Sequence, residues 1–380
     1  MKESISAYIH IPFCEHICYY CNFNKVFLEG QPVDEYIDAL LQEVDMTIAK
    51  YPTKRVPTLY IGGGTPTSLS AKQLDRLLDG LFVRLPLGDL EEFTVEANPG
   101  DLDVNKIEVL RNYNVDRVSM GVQTFDDELL KKIGRKHTAQ DVYQTIKLLR
   151  SKSLDNLTID LMYALPNQTI EMFMDSVKKA VDLEFNHLSM YALILENRTL
   201  FANLERQGKL HRPSEEVEIT MFEQAKQYLE QFGIYQYEIC NYSKKGYESK
   251  HNLMYWDNEH YYGFGAGASG YLGNIRYKNH GPVKHYLQEI TKGLPVVDRE
   301  SLSIENRMEE HMFLGLRKLE GVSFDSFEHK FGRSMFEIYG EVLKSLKNKD
   351  YIEMNNSRVR LTDKGLLFGN DVFAEFLLGE

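Results

Sequence analysis

Up to about residue 195 the chain repeats one rhythm: a short run of β-branched and aromatic residues, a turn, then a longer stretch with apolar residues at helical spacing. The short runs predict strands over about 4–11 ("SAYIHIPF"), 58–63 ("TLYIGG"), 92–98 ("EFTVEAN"), 116–123 ("DRVSMGVQ"), 157–165 ("LTIDLMYAL") and 187–195 ("HLSMYALIL"). Between them "VDEYIDALLQEVDMTIAKY", "SAKQLDRLLDGLFVRL" and "TIEMFMDSVKKAVDLE" read as helices. Alternating β and α elements predict an α/β fold with a parallel sheet and helical crossovers, and six such strands suit a partial (β/α)6 barrel better than a full eight. A doubly wound open sheet is the competing architecture.

The rhythm then changes twice. Residues 196–300 are less regular and rich in aromatics, with a glycine cluster, "YYGFGAGASGYLGN", that must turn sharply or let backbone pass close to a flat ligand. From about 301, "IENRMEEHMFLGLRKL", "SFDSFEHKFG" and "FEIYGEVLKSLKNKD" predict three helices, and "YIEMNNSRVRLTDKG" two short strands around an Asn-Asn turn. We therefore expect three units: a barrel over 1–195, a region completing it over 196–300, and a winged-helix-like α+β domain over 301–380. The last carries fourteen acidic against eleven basic residues over 305–380, which fits a packing or partner module better than a DNA-binding one.

At 380 residues the chain can bury a sizeable core. Its formal net charge of -12 repels phosphate backbones, so nucleic acid is not an expected partner. No run of about 18 apolar residues is present to span a membrane. Four cysteines make no disulfide framework at this length, and no positively charged leader precedes Ser4. A reducing cytoplasm is the expected setting.

Three of those cysteines, Cys14, Cys18 and Cys21, fall within "FCEHICYYCNF". Closely spaced cysteines in a cytosolic chain point to metal. Three thiolates can hold three irons of a cubane and leave the fourth iron open to another ligand. Closed tetrahedral zinc completed by His10, His16 or Cys240, and a four-cysteine cluster completed by Cys240, are the alternatives. Active sites of barrels collect at the C-terminal strand ends, and there the predicted strands deliver the cysteine loop, "GGGTPT" (62–67), Glu96, Gln123, Asp160 and Tyr191. "GGGTPT" lacks the Gly-Lys-Ser/Thr of a phosphate loop, yet its glycines let a ligand approach bare backbone.

"YIHIPFCEHICYYC", "GGGTPT", "VEANP", "GVQTFDDELLKKIGRKH" and "IDLMYALPNQT", in this order, closely resemble radical S-adenosylmethionine proteins. The branch is the one containing oxygen-independent coproporphyrinogen III dehydrogenase and the HemW haem chaperones. The resemblance runs from about residue 4 to 375. It implies a radical-SAM barrel in which Cys14, Cys18 and Cys21 hold a 4Fe-4S cluster whose open iron is chelated by S-adenosylmethionine. It further implies that Tyr8, Gly63, Gly64, Thr65, Glu96, Gln123, Arg135, Asp160 and Ala192 line the cofactor site, with Tyr20 near the adenine. Chemically, Glu96 suits the methionyl ammonium, Arg135 the carboxylate and Asp160 a ribose hydroxyl.

Within that branch, the dehydrogenase pattern continues as Cys-Gly-Cys and follows a longer N-terminal segment, whereas here Asn22 and Phe23 follow Cys21 and thirteen residues precede Cys14. "HNLMYW" (251–256) matches the H-N-x-x-Y-W pattern of the haem chaperones. The haem-binding candidates are His251, Asn252, Tyr255, Trp256 and Arg276, with Cys240 also admissible as an axial ligand, Phe264 and Tyr271 as apolar walls and Arg276 for a propionate. Alternatively His251 and Trp256 form a hydrogen-bonded core pair. The expected function is a cytoplasmic haem chaperone, peripheral at the membrane, that hands haem to an apo-haemoprotein acceptor such as a membrane-associated respiratory enzyme. A radical coproporphyrinogen III dehydrogenase is the runner-up.

Overall fold

The computed structural model describes residues 2–378. Seven parallel strands form its centre: β1 (Ser6–Ile11), β2 (Thr58–Gly63), β3 (Glu92–Ala97), β4 (Arg117–Gln123), β5 (Leu157–Tyr163), β6 (His187–Ala192) and β7 (Tyr261–Phe264). They lie in the order β6-β5-β4-β3-β2-β1-β7. Helices α1 (Val33–Lys50), α2 (Ala71–Arg84), α3 (Val104–Asn112), α4 (Ala139–Ser151) and α5 (Ile170–Asp182) follow the first five strands. Ser70, Asp103, Thr138 and Thr169 start α2 to α5 by accepting backbone N–H groups that have no partner within the helix.

The strand alternation explains the shape. Leu59 and Ile61, Phe93 and Val95, Ile159 and Leu161 point outward and are buried in one core with the helices. Their neighbours Tyr60, Thr94, Glu96, Ser119, Asp160 and Ser189 point the other way and line a cavity. A sheet with a polar inner face around a cavity is a partial barrel. Antiparallel strands extend it on both sides, Asn241–Ser243 and Tyr235–Gln236 beyond β6, and Ser269–Leu272, Ile275–Asn279 and Val296–Ser301 beyond β7, and among the described residues the two outermost strands do not pair.

Two features differ from the sequence expectation. The parallel set has a seventh strand, β7, drawn from the glycine cluster; its Tyr and Phe favour a strand, but the run is only four residues long and opens a glycine-rich stretch that reads as turns, and pairing with β1 decides it. Gly265 (φ +100°) and Gly267 (φ +77°) then make the turn into the next strand, and neither lines the cavity. The C-terminal part has helices Ile304–Gly315, Phe324–Phe331 and Met335–Asn348, but its sheet has three strands, the extra one being the two residues Val322–Ser323. It has its own core, including Met312, Phe327, Tyr339, Leu343 and Val359. It docks through backbone bonds from Leu319 N to Tyr237 O (3.0 Å) and Ile239 N to Arg317 O (3.1 Å).

A buried carboxylate ties the glycine turn to α1. Glu43, 1 % exposed, accepts from Gly265 N (2.8 Å), Asn279 Nδ2 (2.6 Å) and Tyr286 Oη (2.6 Å). Burial nevertheless pushes it from 4.5 up to about 7. Between those values the folded chain keeps a proton that the unfolded chain has lost, so this group's contribution falls as pH rises from 4.5 through 7. We expect Glu43→Gln, measured by urea unfolding against the parent across that window, to reduce the total loss of stability between those pH values by up to about 3 kcal/mol; parallel curves would contradict it.

Candidate functional site

A cavity of about 1300 Å³ runs inside the barrel from the cysteine loop, at the C-terminal strand ends, to Arg117, Thr158 and His187 near the strand starts. That exceeds what one small ligand requires. Cys14 ends the short strand Phe13–Cys14, which pairs with Val26–Phe27 and so closes the loop carrying Cys18 and Cys21. The loop is further fixed by Cys21 N to Cys18 O (3.3 Å), by Tyr19 N to Ile133 O (3.0 Å) and by the Lys25 ammonium donating to the Cys21 carbonyl. All three cysteines face the cavity.

The three thiols are electrostatic neighbours of one another. Burial pushes the Cys14 thiol up to about 11, against a hydrogen bond from Thr65 Oγ1 (3.7 Å), and burial also raises Cys21. Thiolates in such a place need a bound cation to stabilise them. Closed zinc takes four ligands on one ion, whereas a cubane takes each of three thiolates on a separate iron. Of the fourth ligands considered from sequence, His16 lies within the cysteine loop and lines the same cavity, whereas His10 does not line it. His10 is buried with Nε2 on Asn24 O (2.8 Å) and Nδ1 on Tyr8 Oη (3.0 Å), and His16 is bonded to Glu15 O (3.0 Å). Cys240 lines another part of the wall, where burial and Glu238 push it up to about 12. The three-thiol set fits a cluster with one open iron.

Beside the loop, Gly62, Gly63 and Gly64 pass where no side chain fits. A Cβ on Gly62 would sit 2.7 Å from Glu96 Cδ, and Gly63 combines φ +115° with a Cβ position 2.5 Å from His10 Cε1. Glu96 is held through Tyr60 Oη (2.8 Å) and Gly63 N (3.0 Å), with burial raising its pKa against both bonds. Arg135 donates to Asn98 Oδ1 (2.8 Å) and Gly121 O (3.0 Å), and its Nε has no partner. Asp160 is pushed up to about 7 by burial, against hydrogen bonds from Ser189 and Ser119; Glu96 adds to the rise and Arg135 opposes it. Tyr20 packs against the apolar cluster around Leu129 and Ile133 and hydrogen-bonds Cys18. Gln123, at φ +68°, Thr65 and Ala192 complete this end.

Cys14, Cys18, Cys21, Tyr20, Gly63, Gly64, Thr65, Glu96, Gln123, Arg135, Asp160 and Ala192 therefore share one cavity. Tyr8 does not line it: its ring stacks behind Tyr60 (6.0 Å) with its hydroxyl on His10. The supports Tyr60, Asn98, Ser119 and Ser189 were missed from sequence. Strand alternation is the signal that finds three of them, since each lies two residues, or one rung across the sheet, from a site residue.

The haem candidates are dispersed. "HNLMYW" forms helix α7 (Lys250–Trp256), which covers the strand starts; its first turn is fixed on Glu92, which accepts from Lys250 N (2.9 Å) and His251 N (3.0 Å) and pairs with Arg117 (3.2 Å). His251 is 1 % exposed, with Nδ1 on Thr58 Oγ1 (2.8 Å), Nε2 on Tyr255 Oη (3.1 Å) and its ring stacked on Tyr60 (5.2 Å). At spacing i, i+4, His251 and Tyr255 share the face turned to the barrel floor. Trp256 lies under the Arg317 guanidinium (4.4 Å), so its partner is the C-terminal part rather than His251. Arg276 is bonded twice to Glu310 (2.6 and 2.7 Å) and is not free for a propionate. Phe264 and Tyr271 are core residues. Only Asn252 of the five reaches the cavity. We expect His251→Ala to destabilise the chain by roughly 2–4 kcal/mol in urea unfolding; an unchanged midpoint would show that the imidazole holds nothing.

The radical SAM superfamily profile matches residues 8–180, and the HemN C-terminal domain profile residues 302–368. The chain is 51 % identical over 374 residues to a Bacillus subtilis protein named heme chaperone HemW, covering 98 % of this chain and 99 % of that one. It is 50 % identical over 383 residues to the protein of the same name from Lactococcus lactis, covering 100 % and 99 %. Among solved structures, coproporphyrinogen III oxidase (HemN) from Escherichia coli superposes with a TM-score of 0.87 at 23 % identity, over 99 % of this chain and 90 % of that one, which establishes the common fold. Sharing half its residues with two such proteins along its whole length, the chain belongs to the HemW family of the radical S-adenosylmethionine superfamily.

Proposed function

We propose that this protein binds haem and passes it to acceptor haemoproteins, and that it carries a 4Fe-4S cluster on Cys14, Cys18 and Cys21 with an exchangeable S-adenosylmethionine. The observation that carries this reading is the end-to-end identity of about half the residues to proteins named haem chaperones. Bound at the cysteine loop, the cluster supplies an open iron and single electrons. The chain's own groups would do the rest. Glu96 keeps lone pairs for the methionyl ammonium, the unpartnered Arg135 Nε is available to the carboxylate, Asp160 accepts from a ribose hydroxyl, and Tyr20 packs beside the adenine.

In this division of labour, residues 1–195 hold the cofactors, 196–300 complete the barrel and 301–380 serve as the module that meets a partner. Among the described residues no helix is long and apolar enough to cross a membrane. We place the protein in the cytoplasm, delivering to an acceptor at a respiratory membrane from its surface.

Asn22 directly after Cys21, in place of the Gly-Cys of the dehydrogenase pattern, argues against porphyrinogen decarboxylation. Two outcomes are expected. Cys18→Ser should stay folded by circular dichroism and lose its iron and visible absorption after anaerobic reconstitution; unchanged iron content would remove the cluster assignment. The intact protein should bind ferric haem saturably and make no product from coproporphyrinogen III with reductant and S-adenosylmethionine. Turnover in that assay would make it a dehydrogenase instead.

A further inference from the structure

We propose that haem sits in the barrel cavity beside Tyr163, with the Cys240 thiolate as axial ligand to iron and Arg212 facing a propionate. This rests on the haem-binding reading above and adds the seat to it. The helix that carries H-N-x-x-Y-W closes the barrel floor instead, with both nitrogens of His251 engaged and Arg276 held by Glu310.

Four observations converge on this part of the cavity. Cys240 is partly exposed and faces the cavity close to Tyr163 and Tyr191, away from the three-cysteine loop. Phe222 of α6 (Glu215–Glu230) packs on that same Tyr163 (6.4 Å), and with Ile219 and the segment Leu366 to Phe368 it gives the cavity an apolar wall. The wall is anchored: Lys226 of α6 pairs with Asp363 (2.9 Å), at the start of the segment that brings Leu366 in. At the mouth, Ile194 is 68 %, Leu367 45 % and Phe368 43 % exposed, three large apolar side chains from two distant segments on one rim. Such a rim marks a docking place for an apolar ligand.

Two polar groups fit the same occupant. Arg212 also lines the cavity and is held only at 3.9 Å by Glu218, so it can exchange that partner for a carboxylate. Gln236 is 8 % exposed and lines the same wall; its Nε2 donates to Ile239 O (3.1 Å), while its Oε1 has no partner and awaits a donor such as a propionic acid or a water carried with it. The volume of about 1300 Å³ leaves room beyond the S-adenosylmethionine end. On binding, an axial water leaves the ferric iron, the Fe–S bond forms and the thiol proton passes to solvent, with no change of oxidation state.

The test is a titration of the full chain with ferric haem, read by the Soret band and by electron paramagnetic resonance. The parent should saturate with a thiolate-ligated spectrum. Cys240→Ser should lose that spectrum and bind at least about tenfold more weakly. Leu367→Glu, an exposed position, should weaken binding by a similar factor with the thiolate spectrum kept, and it decides the matter if the serine variant does not fold. Cys18→Ser should retain the thiolate spectrum. A parent that saturates while Cys240→Ser keeps its spectrum and affinity would overturn the seat and leave the haem reading standing. A parent that shows no saturable change would overturn the haem reading itself.

Discussion

A β-strand places successive side chains on opposite faces, and the seven parallel strands of this protein must hold that register around an interior they do not fill. The outward residues satisfy the helices, as Leu59, Ile61, Val95 and Ile159 do. The inward ones satisfy one another and whatever the cavity receives: Tyr60 bonds Glu96, and Ser119 and Ser189 bond Asp160. A slip of one residue in β3 or β5 would turn Glu96 or Asp160 into the helical layer and an apolar side chain into the cavity. The site is thus a property of the register as much as of the residues.

The two ends of the barrel are closed by different means. At the strand C-termini the cysteine loop is held by backbone pairing and by Thr65 on Cys14, which leaves its thiols facing inward. At the strand N-termini helix α7 is anchored by Glu92, whose charge meets both the helix N-terminus and Arg117. Truncating one partner there would leave a buried charge uncompensated, which explains why a chemically suggestive His-Tyr-Trp sequence serves as a plug in this conformation.

Burial also sets the charge state of the interior. Asp160 and Glu43 are each pushed up to about 7 by desolvation, although both accept hydrogen bonds that oppose the rise. One stands in the cavity and the other under the glycine turn, so the same physics bears on ligand binding at one place and on stability at the other. Neither effect is visible in the overall charge of -12.

The cysteine spacing, the strand-helix rhythm and the polar or glycine residues ending each strand were legible because they are local: each depends on residues within a few positions. From them came the partial barrel, the three thiols on one loop and the grouping of Glu96, Gln123 and Asp160 in one cavity, while Arg135 came with the family resemblance. What the sequence could not decide is what lies across space. Tertiary pairing made a strand of the short run Tyr261–Phe264, turned His251 toward Thr58 and Tyr255, committed Arg276 to Glu310, and brought Cys240 into one cavity with Leu366 and Phe368. The physical reason is that composition fixes which groups a residue can offer, whereas burial and the partner on a distant segment fix which of those offers is already taken.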